Sequence, residues 1–235
     1  MERLDLYSIA FERTWLIEQQ IRLLRKHLLD DFRYTVVDNS RDEASAQQIH
    51  ALCGRWGVCY RRSPSATYSH HDALNFAATH ARNEQREYIG FLDHDIFPTE
   101  PTSLIPLIDE AGFYGVGQRH GPSGHLYLWP GFCFFKRDWL GDRRLNFDGI
   151  RGDTKRDDGD TGSANWPLFA EEGWEHLYKP SHGYKAIREP DSYGLQSWGY
   201  EVIGPWVHFS NGSHWMTVPS PHQRDQLLAN LLAEL

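Results

Sequence analysis

The most constraining feature of the sequence is the alternation of short apolar segments with longer amphipathic ones over the first 98 residues. Apolar runs bounded by turn residues predict strands, and apolar residues that recur every three or four positions predict helices. The predicted strands are Leu4 to Ala10, Tyr34 to Asp38, Val58 to Arg61 and Tyr88 to Leu92, and the predicted helices are Glu12 to Leu29, Glu43 to Trp56 and Ser69 to Gln85. This order predicts an α/β fold with a Rossmann-like, mostly parallel central sheet flanked by helices.

The second half of the chain has a less regular pattern. Two further strands are predicted, Phe113 to Val116 and Leu126 to Lys136, and Pro130-Gly131 predicts a bend or bulge within the second. A polar, glycine-rich stretch over 146–162 predicts a long loop. The remaining predicted elements are a short helix from Pro167 to Gly173, a strand from Tyr200 to His208 and a terminal helix from Gln223 to Leu235. No linker-like segment divides the chain, so one domain over residues 1–235 is expected.

The charge and cysteine content exclude several classes of protein. Asp and Glu outnumber Lys and Arg by 32 to 24, so the formal net charge is −8. A chain this acidic lacks the basic surface of a non-specific nucleic-acid binder or of a protein held on anionic lipid. No apolar run reaches the ~18 residues of a transmembrane helix, so no such segment is expected. Three cysteines, Cys53, Cys59 and Cys133, favour buried structural thiols over a disulfide framework and suggest a cytoplasmic location.

The sharpest chemical signal is Asp93-His94-Asp95, which follows the apolar run Tyr88 to Leu92. A solvated turn would explain the tripeptide by itself. Ligands, however, gather at the carboxyl ends of the strands in open α/β sheets, and two acids at the end of a buried strand need compensation. Mg²⁺ and Mn²⁺ take carboxylate oxygens together with substrate phosphates. The position of the acids therefore predicts a metal and diphosphate site.

These strand-end acids, the preceding strand and helix pattern and the segment around Asn75 resemble a glycosyltransferase of the GT-A fold, nearest to the family 2 type. The resemblance covers nearly the whole chain and is strongest over residues 4–98. It implies a nucleotide-sugar-binding half over 1–98 and an acceptor-binding half over 99–235. It also implies that Asp38, with Asn39 beside it, holds the base or ribose of the donor, where the alternative is a turn or cap residue.

The segment from His71 to Ala78 resembles the family's helix beneath the nucleotide sugar, and Asn75 lies in its Ala-x-Asn-x-Ala pattern. A helix N-terminus favours anions, so His71 is expected near the donor phosphates, with an ordinary surface histidine as the alternative. Arg61 and its neighbour Arg62 are expected to reach a phosphate or sugar, or else to be solvated.

A second likeness concerns the general base. Leu145-Asn146-Phe147-Asp148 and the segment from Phe169 to Pro180 resemble the regions on either side of the family's catalytic acid. Between them the family carries Glu-Asp, whereas this chain has Asp157-Asp158-Gly159-Asp160. The offset from Gly173 favours Asp160 as the base, and Asp158 is the alternative.

The segment from Trp206 to Trp215 resembles the C-terminal histidine segment of metal-dependent GT-A enzymes. The resemblance implies that His208 completes the metal shell beside Asp95, with His214 as the alternative ligand, and that Asp93 assists or binds ribose. Ser213 is expected to donate to the diphosphate. An imidazole ligand favours Mn²⁺, so the expected cofactor is Mn²⁺ (or Mg²⁺).

Aromatic residues make up 14% of the chain, and Trp129 and Trp166 are the candidates to stack on an acceptor, with core packing as the alternative. The predicted function is metal-dependent transfer of a sugar from a nucleoside-diphosphate sugar, with UDP favoured, to a glycan or small-molecule hydroxyl with inversion. A sugar-nucleotide pyrophosphorylase is disfavoured because Ala10-Phe11-Glu12-Arg13 contains no glycine-rich phosphate loop. A non-catalytic carbohydrate-binding protein leaves the strand-end acids unexplained.

Overall fold

A computed structural model describes residues 3–119, 124–150, 161–170, 184–188 and 198–209, together with positions 226, 229, 230, 232 and 233. The strands are β1 (Leu4–Ala10), β2 (Phe32–Asp38), β3 (Cys59–Arg62), β4 (Tyr88–Asp93), β5 (Ile96–Pro98), β6 (Phe113–Arg119), β7 (Leu126–Lys136), β8 (Tyr184–Arg188), β9 (Trp198–Ile203) and β10 (Trp206–Phe209). The helices are α1 (Thr14–His27), α2 (Glu43–Trp56), α3 (His70–Glu84), α4 (Ile105–Asp109) and α5 (Arg137–Leu140), and a 3₁₀ helix spans Ser163–Leu168.

A six-stranded sheet of order β3-β2-β1-β4-β7-β6 forms the centre of the fold. The first four strands in the chain run parallel to one another, and β7 pairs antiparallel with both β4 and β6. The predicted α/β fold with a mostly parallel sheet is therefore confirmed. Because β1 to β4 run the same way, their carboxyl ends share one edge of the sheet, where Asp38, Arg62 and Asp93 lie.

The parallel strands are apolar because helices cover both faces of the sheet. Leu6 and Val36 on one face are fully buried with Ile17 of α1, while Phe91 on the other face is fully buried with Ala77 of α3. Each large side chain buried in this way contributes about 1.5–3 kcal/mol relative to exposure. Two buried thiols, Cys53 and Cys133, lie in these layers, whereas Cys59 is exposed, against the prediction of three buried cysteines.

Local signals fix the helix boundaries. Helix α2 has the predicted bounds: the Asp42 carboxylate accepts from the Ser45 amide at 2.7 Å, and Gly57 ends the helix in the left-handed region at φ 61°. Ser69 is the predicted N-cap of α3 and accepts from the Asp72 amide at 3.3 Å. These caps satisfy backbone groups that would otherwise have no partner at the helix ends.

A second sheet, of order β5-β10-β9-β8, is antiparallel throughout. The prediction of one strand from Tyr200 to His208 is wrong, because Gly204 adopts φ 56° and with Pro205 turns the chain between β9 and β10. The hairpin places His208 opposite Ile96 of β5, and the Phe209 amide donates to the Asp95 carbonyl at 2.9 Å. The second sheet therefore begins at the Asp93-His94-Asp95 turn and brings β10 back to it.

Strand β7 has the predicted bounds and the predicted irregularity. Gly117 of β6 pairs with Leu128, whereas Gly115, two residues earlier, pairs with Cys133, so the segment Trp129 to Phe132 bulges out of register. Of the predicted helix from Pro167 to Gly173, the described residues 167–170 are not α-helical, and 171–173 lie outside the described residues. A 3₁₀ helix begins earlier, at Ser163 after the turn at Gly162 (φ 87°), and contains Pro167 near its end. At the C-terminus, positions 226, 229, 230, 232 and 233 are helical.

Candidate active site

Three charged side chains end parallel strands at one edge of the central sheet. Asp38 is the last residue of β2, Arg62 of β3 and Asp93 of β4. In an open α/β sheet this edge is where ligands bind. Two groups of residues occupy it. The Asp93-His94-Asp95 turn and its neighbours form the first group, and the residues around Asp38 form the second.

The backbone of the turn is held by Gln20 of α1, which is fully buried. Its amide nitrogen donates to the carbonyls of Asp93 and Ile96, both at 2.8 Å. Its amide oxygen accepts from the Ser8 hydroxyl at 2.7 Å and from the Tyr34 hydroxyl. Every hydrogen-bonding position of this side chain is thus used to fix the chain on both sides of the two acids.

His94 fixes the turn from its other side. Its Nδ1 donates to the Ile9 carbonyl at 2.7 Å, so a neutral ring carries its lone pair on Nε2. That Nε2 is buried and has no hydrogen-bond partner among the residues that the structure describes. The bond ties the turn to the end of β1.

Asp95, His208 and Glu201 form a chain of alternating carboxylate and imidazole groups. His208 Nε2 lies 3.7 Å from Asp95 Oδ1, and His208 Nδ1 lies 3.3 Å from Glu201 Oε2. Burial lowers the pKa of His208, but the hydrogen bond to Glu201 and the charge of Asp95 outweigh it, so the pKa is raised. Burial raises the pKa of Asp95, and His208 offsets this only in part. The hydrogen bond from His208 lowers the pKa of Glu201.

Asp93 faces a different imidazole. Its Oδ1 lies 3.2 Å from Nε2 of His70, the first residue of α3. Burial opposes ionisation of Asp93, but the charge of His70 prevails and lowers the pKa of Asp93. The other oxygen, Oδ2, lies against Gly131 in the β7 bulge, where an added Cβ would lie 2.6 Å from it. The bulge therefore needs glycine at this position to make room for the carboxylate.

Trp129 closes the site on the side of β7. Its ring lies 4.7 Å from the His208 ring, centroid to centroid, and a Cβ on Gly131 would be 2.3 Å from it. The side chain is only partly buried. The bulge thus places the Trp129 indole beside His208 and Gly131.

The side chains of Asp95 and His208 have the chemistry and spacing to bind a divalent cation. Two ligands of one such ion, each about 2.1 Å from it, lie about 3–4 Å apart, and Asp95 and His208 are 3.7 Å apart. Glu201 holds the His208 ring so that Nε2 faces Asp95, an arrangement typical of metal-bound histidines. Within the described ranges no three His, Cys, Asp or Glu side chains form a ready metal cluster, so Asp93 does not complete one. Asp95 and His208 could therefore supply two ligands to such an ion, and its other ligands would have to come from elsewhere.

Asp38 has a different environment, although it also ends a strand. It is fully buried, and its Oδ1 accepts from the Ser40 amide at 2.9 Å and the Ser40 hydroxyl at 2.6 Å. Its Oδ2 accepts from the Tyr60 hydroxyl at 2.8 Å and from Arg62 at 2.7 Å. A carboxylate has about four acceptor positions, and all four are occupied. A nucleoside would have to displace one of these groups to bind Asp38.

The next residue, Asn39, keeps an acceptor available. Its amide nitrogen donates to the carbonyls of Tyr68 at 2.8 Å and Ser69 at 3.2 Å, which sets the orientation of the amide. Its Oδ1 is buried and has no partner among the described residues. A buried oxygen without a donor is costly, and a ligand N–H or O–H at this edge of the sheet would satisfy it.

Other predicted site residues have internal partners. Arg61 points to α3, where its Nε lies 3.1 Å from His80 Nε2. Asn75 donates to the Asp148 carboxylate and accepts from the Phe147 amide, both at 2.8 Å, so it fixes the segment that follows Leu145. The remaining two are an exposed His71, 3.5 Å from Asp72, and Trp166, which stacks on His125 with centroids 3.9 Å apart. Asp158, Asp160, Ser213 and His214 lie outside the described residues.

Gln20 and Glu201 were not among the residues that the sequence placed at the site. A polar residue at helical spacing from Ile17, Ile21 and Leu24 on the apolar face of α1 was a signal for Gln20. No local pattern marks Glu201, because its role depends on the hairpin that pairs it with His208.

A central sheet of this order, with paired acids after its fourth strand, defines a GT-A glycosyltransferase. The chain belongs to glycosyl transferase family 2, whose family model matches residues 10–151, more than half of the chain. The match includes all of the strand-end residues described above except those from β9 and β10. No curated protein sequence matches the chain.

Several solved structures are similar to this chain. TarS from S. aureus is 16% identical over 62% of the chain, with a TM-score of 0.44. The mannosyltransferase PcManGT from Pyrobaculum calidifontis, in complex with GDP-Man and Mn²⁺, is 17% identical over 66% of the chain, with a TM-score of 0.45. The mannosyltransferase Ktr4p from S. cerevisiae is 9% identical over 59%, with a TM-score of 0.42. The chain spans 30%, 49% and 57% of the lengths of these structures, respectively.

In the part of the chain that the structure describes, no helix has both the length and the apolar character needed to cross a bilayer.

Proposed function

We propose that this protein transfers a glycosyl group from a nucleoside-diphosphate sugar, with UDP as the nucleotide, to a hydroxyl group of a glycan or small molecule. The reaction depends on a divalent cation and inverts the anomeric centre by direct displacement. The observation that carries this proposal is the pair Asp95 and His208, 3.7 Å apart at the end of β4, with Glu201 orienting the imidazole.

Asp95 and His208 are the proposed protein ligands of Mn²⁺ (or Mg²⁺), with Asp93 assisting from its pair with His70. When bound, the ion supplies positive charge that stabilises the departing nucleoside diphosphate. Gln20 binds the backbone of the turn at Asp93 and Ile96, and the His94 side chain ties the turn to the Ile9 carbonyl of β1, so the carboxylates are positioned before the donor arrives. This preorganisation lowers the cost of assembling the site.

The proposed nucleoside site lies at the ends of β2 and β3. Asn39 Oδ1 is the acceptor best placed to take an N–H of a base such as uracil, because it is buried and unpartnered. Asp38 takes part either directly, by exchanging one of its four partners, or by holding Arg62 and Tyr60 in place. Arg61, His71, Asn75 and Ser213 remain proposed donor-binding residues. The proposed role of Asn75 is indirect, because its side chain hydrogen-bonds Phe147 and Asp148 and so positions that segment.

The proposed acceptor side includes Trp129 and Trp166 as stacking surfaces for a sugar ring. The proposed base is Asp160, with Asp158 as the alternative, in the segment that follows Asp148. The base removes the proton of the acceptor hydroxyl as its oxygen bonds to the anomeric carbon, and the bond from that carbon to the diphosphate oxygen breaks. Attack opposite the leaving group inverts the centre. Residues 1–98 form the donor half and 99–235 the acceptor half of one domain.

Two measurements test the proposal. The first is calorimetric titration of the protein with UDP in Mn²⁺ and in EDTA, where binding is expected only with the metal. The second is nucleotide release from a panel of UDP- and GDP-sugars in Mn²⁺ without acceptor, where the UDP-sugars are expected to be hydrolysed faster. Equal UDP binding in EDTA would contradict the metal role, and release of no nucleotide from any sugar would contradict the activity.

A further inference from the structure

A cavity of about 480 Å³ lies away from the strand-end site. It is bounded by the second half of α3, the start of β4 and the segment from α5 to Leu145. Ile89, which lines it, is four residues before Asp93 on β4, so the cavity is set back by about 13 Å along the strand. On α3 its nearest lining residue, Ala78, lies about 12 Å along the axis from His70. The cavity is therefore separate from the proposed donor site.

Four arginines line this cavity, Arg82, Arg137, Arg143 and Arg144, and none of the described residues that line it is acidic. We call it the arginine cavity. The nearest acids in the sequence, Asp138 and Asp142, lie in α5 and the turn after it and do not line the cavity. Such a concentration of positive charge is unusual in a chain with a formal net charge of −8. The local potential therefore favours an anion.

Two of the arginines are fixed by the fold. Arg137 donates to three carbonyls at the end of α3 and the turn after it, those of Ala81 at 2.9 Å, Arg82 at 3.3 Å and Arg86 at 2.6 Å. Arg143 lies over the Trp139 ring, 4.2 Å from its centroid, and donates to the Leu140 carbonyl at 3.2 Å. These contacts hold two positive charges at the cavity without neutralising them.

The other two arginines are available. The guanidinium groups of Arg82 and Arg144 are exposed and have no hydrogen-bond or ion-pair partner among the residues that the structure describes. A guanidinium presents paired N–H donors that match the oxygens of a phosphate. Together with the fixed pair they leave donors on opposite sides of one concave surface.

The floor of the cavity is apolar, since Ala81, Ile89 and Leu140 are buried there. Its volume of about 480 Å³ is within the range of small-molecule sites, roughly 300–1,000 Å³, and exceeds the need of a bare inorganic ion. A ligand with a phosphate group could contact the arginines, and a ring or chain attached to that group could cover the apolar floor.

We propose that the arginine cavity binds a phosphate-bearing organic ligand of sugar-phosphate size, at a site distinct from the donor site. Arg82 and Arg144 bind the phosphate, and Arg137 and Arg143 strengthen the field around it. The proposal does not depend on the transferase activity, because it rests only on the cavity, its charges and its floor.

The test is calorimetric titration with glucose 6-phosphate at low ionic strength and in EDTA, so that a metal-dependent donor site contributes nothing. We expect glucose 6-phosphate to bind, inorganic phosphate to bind more weakly, and glucose not to bind. The double variant Arg82→Gln with Arg144→Gln is expected to weaken glucose 6-phosphate binding by at least about tenfold. Both side chains are exposed and unpaired, so the variant is expected to keep the wild-type melting temperature.

The matched control is Arg22→Gln with Lys26→Gln, which removes the same two charges from exposed positions of α1. We expect its affinity for glucose 6-phosphate to stay within about twofold of wild type, since it tests the effect of net charge alone. Unchanged binding in the Arg82 and Arg144 variant, or equal weakening in the control, would overturn the site. If glucose 6-phosphate binds no more tightly than inorganic phosphate, the proposal of an organic ligand is wrong. If UDP competes with glucose 6-phosphate in EDTA, the proposal that the cavity is distinct from the donor site is wrong.

Discussion

Asp38 ends β2 and Asp95 follows β4 at the same edge of the central sheet, yet the partners around the two carboxylates differ in kind. Four donors surround the Asp38 carboxylate at 2.6–2.9 Å. Asp95 faces an imidazole at 3.7 Å, a separation too long for a hydrogen bond and suitable for a shared cation. A strand-end carboxylate is therefore not functional by position alone. The kind of partner, four close donors at Asp38 and an imidazole across a wider gap at Asp95, distinguishes the two carboxylates.

Replacement of Asp95 by Asn tests the functional side of this comparison and should have the largest effect. The neutral amide is a poor ligand for a hard cation, so metal-dependent turnover of the donor is expected to fall on the order of a thousandfold. Burial disfavours the charge of Asp95, so the free energy of unfolding in EDTA should not decrease. Nucleotide release and urea unfolding measure the two effects. Asp142→Asn, an exposed acid elsewhere, should change neither.

Gln20→Leu tests whether the turn depends on its buried support. The change removes the donor to the carbonyls of Asp93 and Ile96 and the acceptor of the buried Ser8 and Tyr34 hydroxyls. We expect the free energy of unfolding to fall by about 3 kcal/mol and the affinity for Mn²⁺ with UDP to fall as well. Urea unfolding and calorimetry report these values. Gln48→Leu on exposed α2 is the control, and loss of stability with unaltered metal affinity would restrict Gln20 to a purely structural role.

Asp38→Asn tests whether the Asp38 carboxylate mainly stabilises the fold. An amide cannot accept from all four present partners, and the Arg62 guanidinium loses its charged partner, so we expect a loss of about 2 kcal/mol in the free energy of unfolding. UDP affinity in Mn²⁺ should change less than in the Asp95 variant. The opposite result, wild-type stability with abolished UDP binding, would assign Asp38 directly to the nucleoside.

Gly131→Ala tests whether the β7 bulge must leave room for the Asp93 carboxylate, and it should have the smallest effect. The added methyl group would lie 2.6 Å from Asp93 Oδ2 and 2.3 Å from the Trp129 ring, so one of the two must move. We expect about a tenfold loss of metal-dependent UDP affinity, which corresponds to about 1.4 kcal/mol. Gly54→Ala, where a Cβ meets nothing within 4 Å, is the matched control and should slightly stabilise α2. A wild-type affinity for Gly131→Ala would show that Asp93 tolerates displacement.

The sequence predicted the elements whose ends depend on local signals. Helix α2 ends at Gly57 and α3 begins after Ser69 because a positive φ and a side-chain cap are encoded at those positions. The turn between β9 and β10 was missed, although Gly204-Pro205 marks it, because the apolar run on either side reads as one strand. The 3₁₀ helix was misplaced because Pro167 was taken as a helix start.

The site was predictable to the extent that it depends on strand ends and on family likeness. Asp93, Asp95, His208 and Trp129 were named from the sequence, and the structure brings them together. The partners that determine their roles were not predictable, because Gln20, Glu201 and His70 reach the acids only through tertiary packing. The same holds for Asp38, whose pairing with Tyr60 and Arg62 depends on the register of β2 against β3.

The pairing of β10 with β5 has a consequence for how the protein would respond to the proposed metal ion. Asp95 precedes the first strand of the second sheet, and His208 is delivered by the last hairpin of that sheet. An ion bound by both residues would link β10 to the turn that precedes β5. Uptake of Mn²⁺ should then protect the C-terminal part of the chain from proteases more than it protects α1 or α2, so the cofactor would help to complete the tertiary structure around the site it occupies.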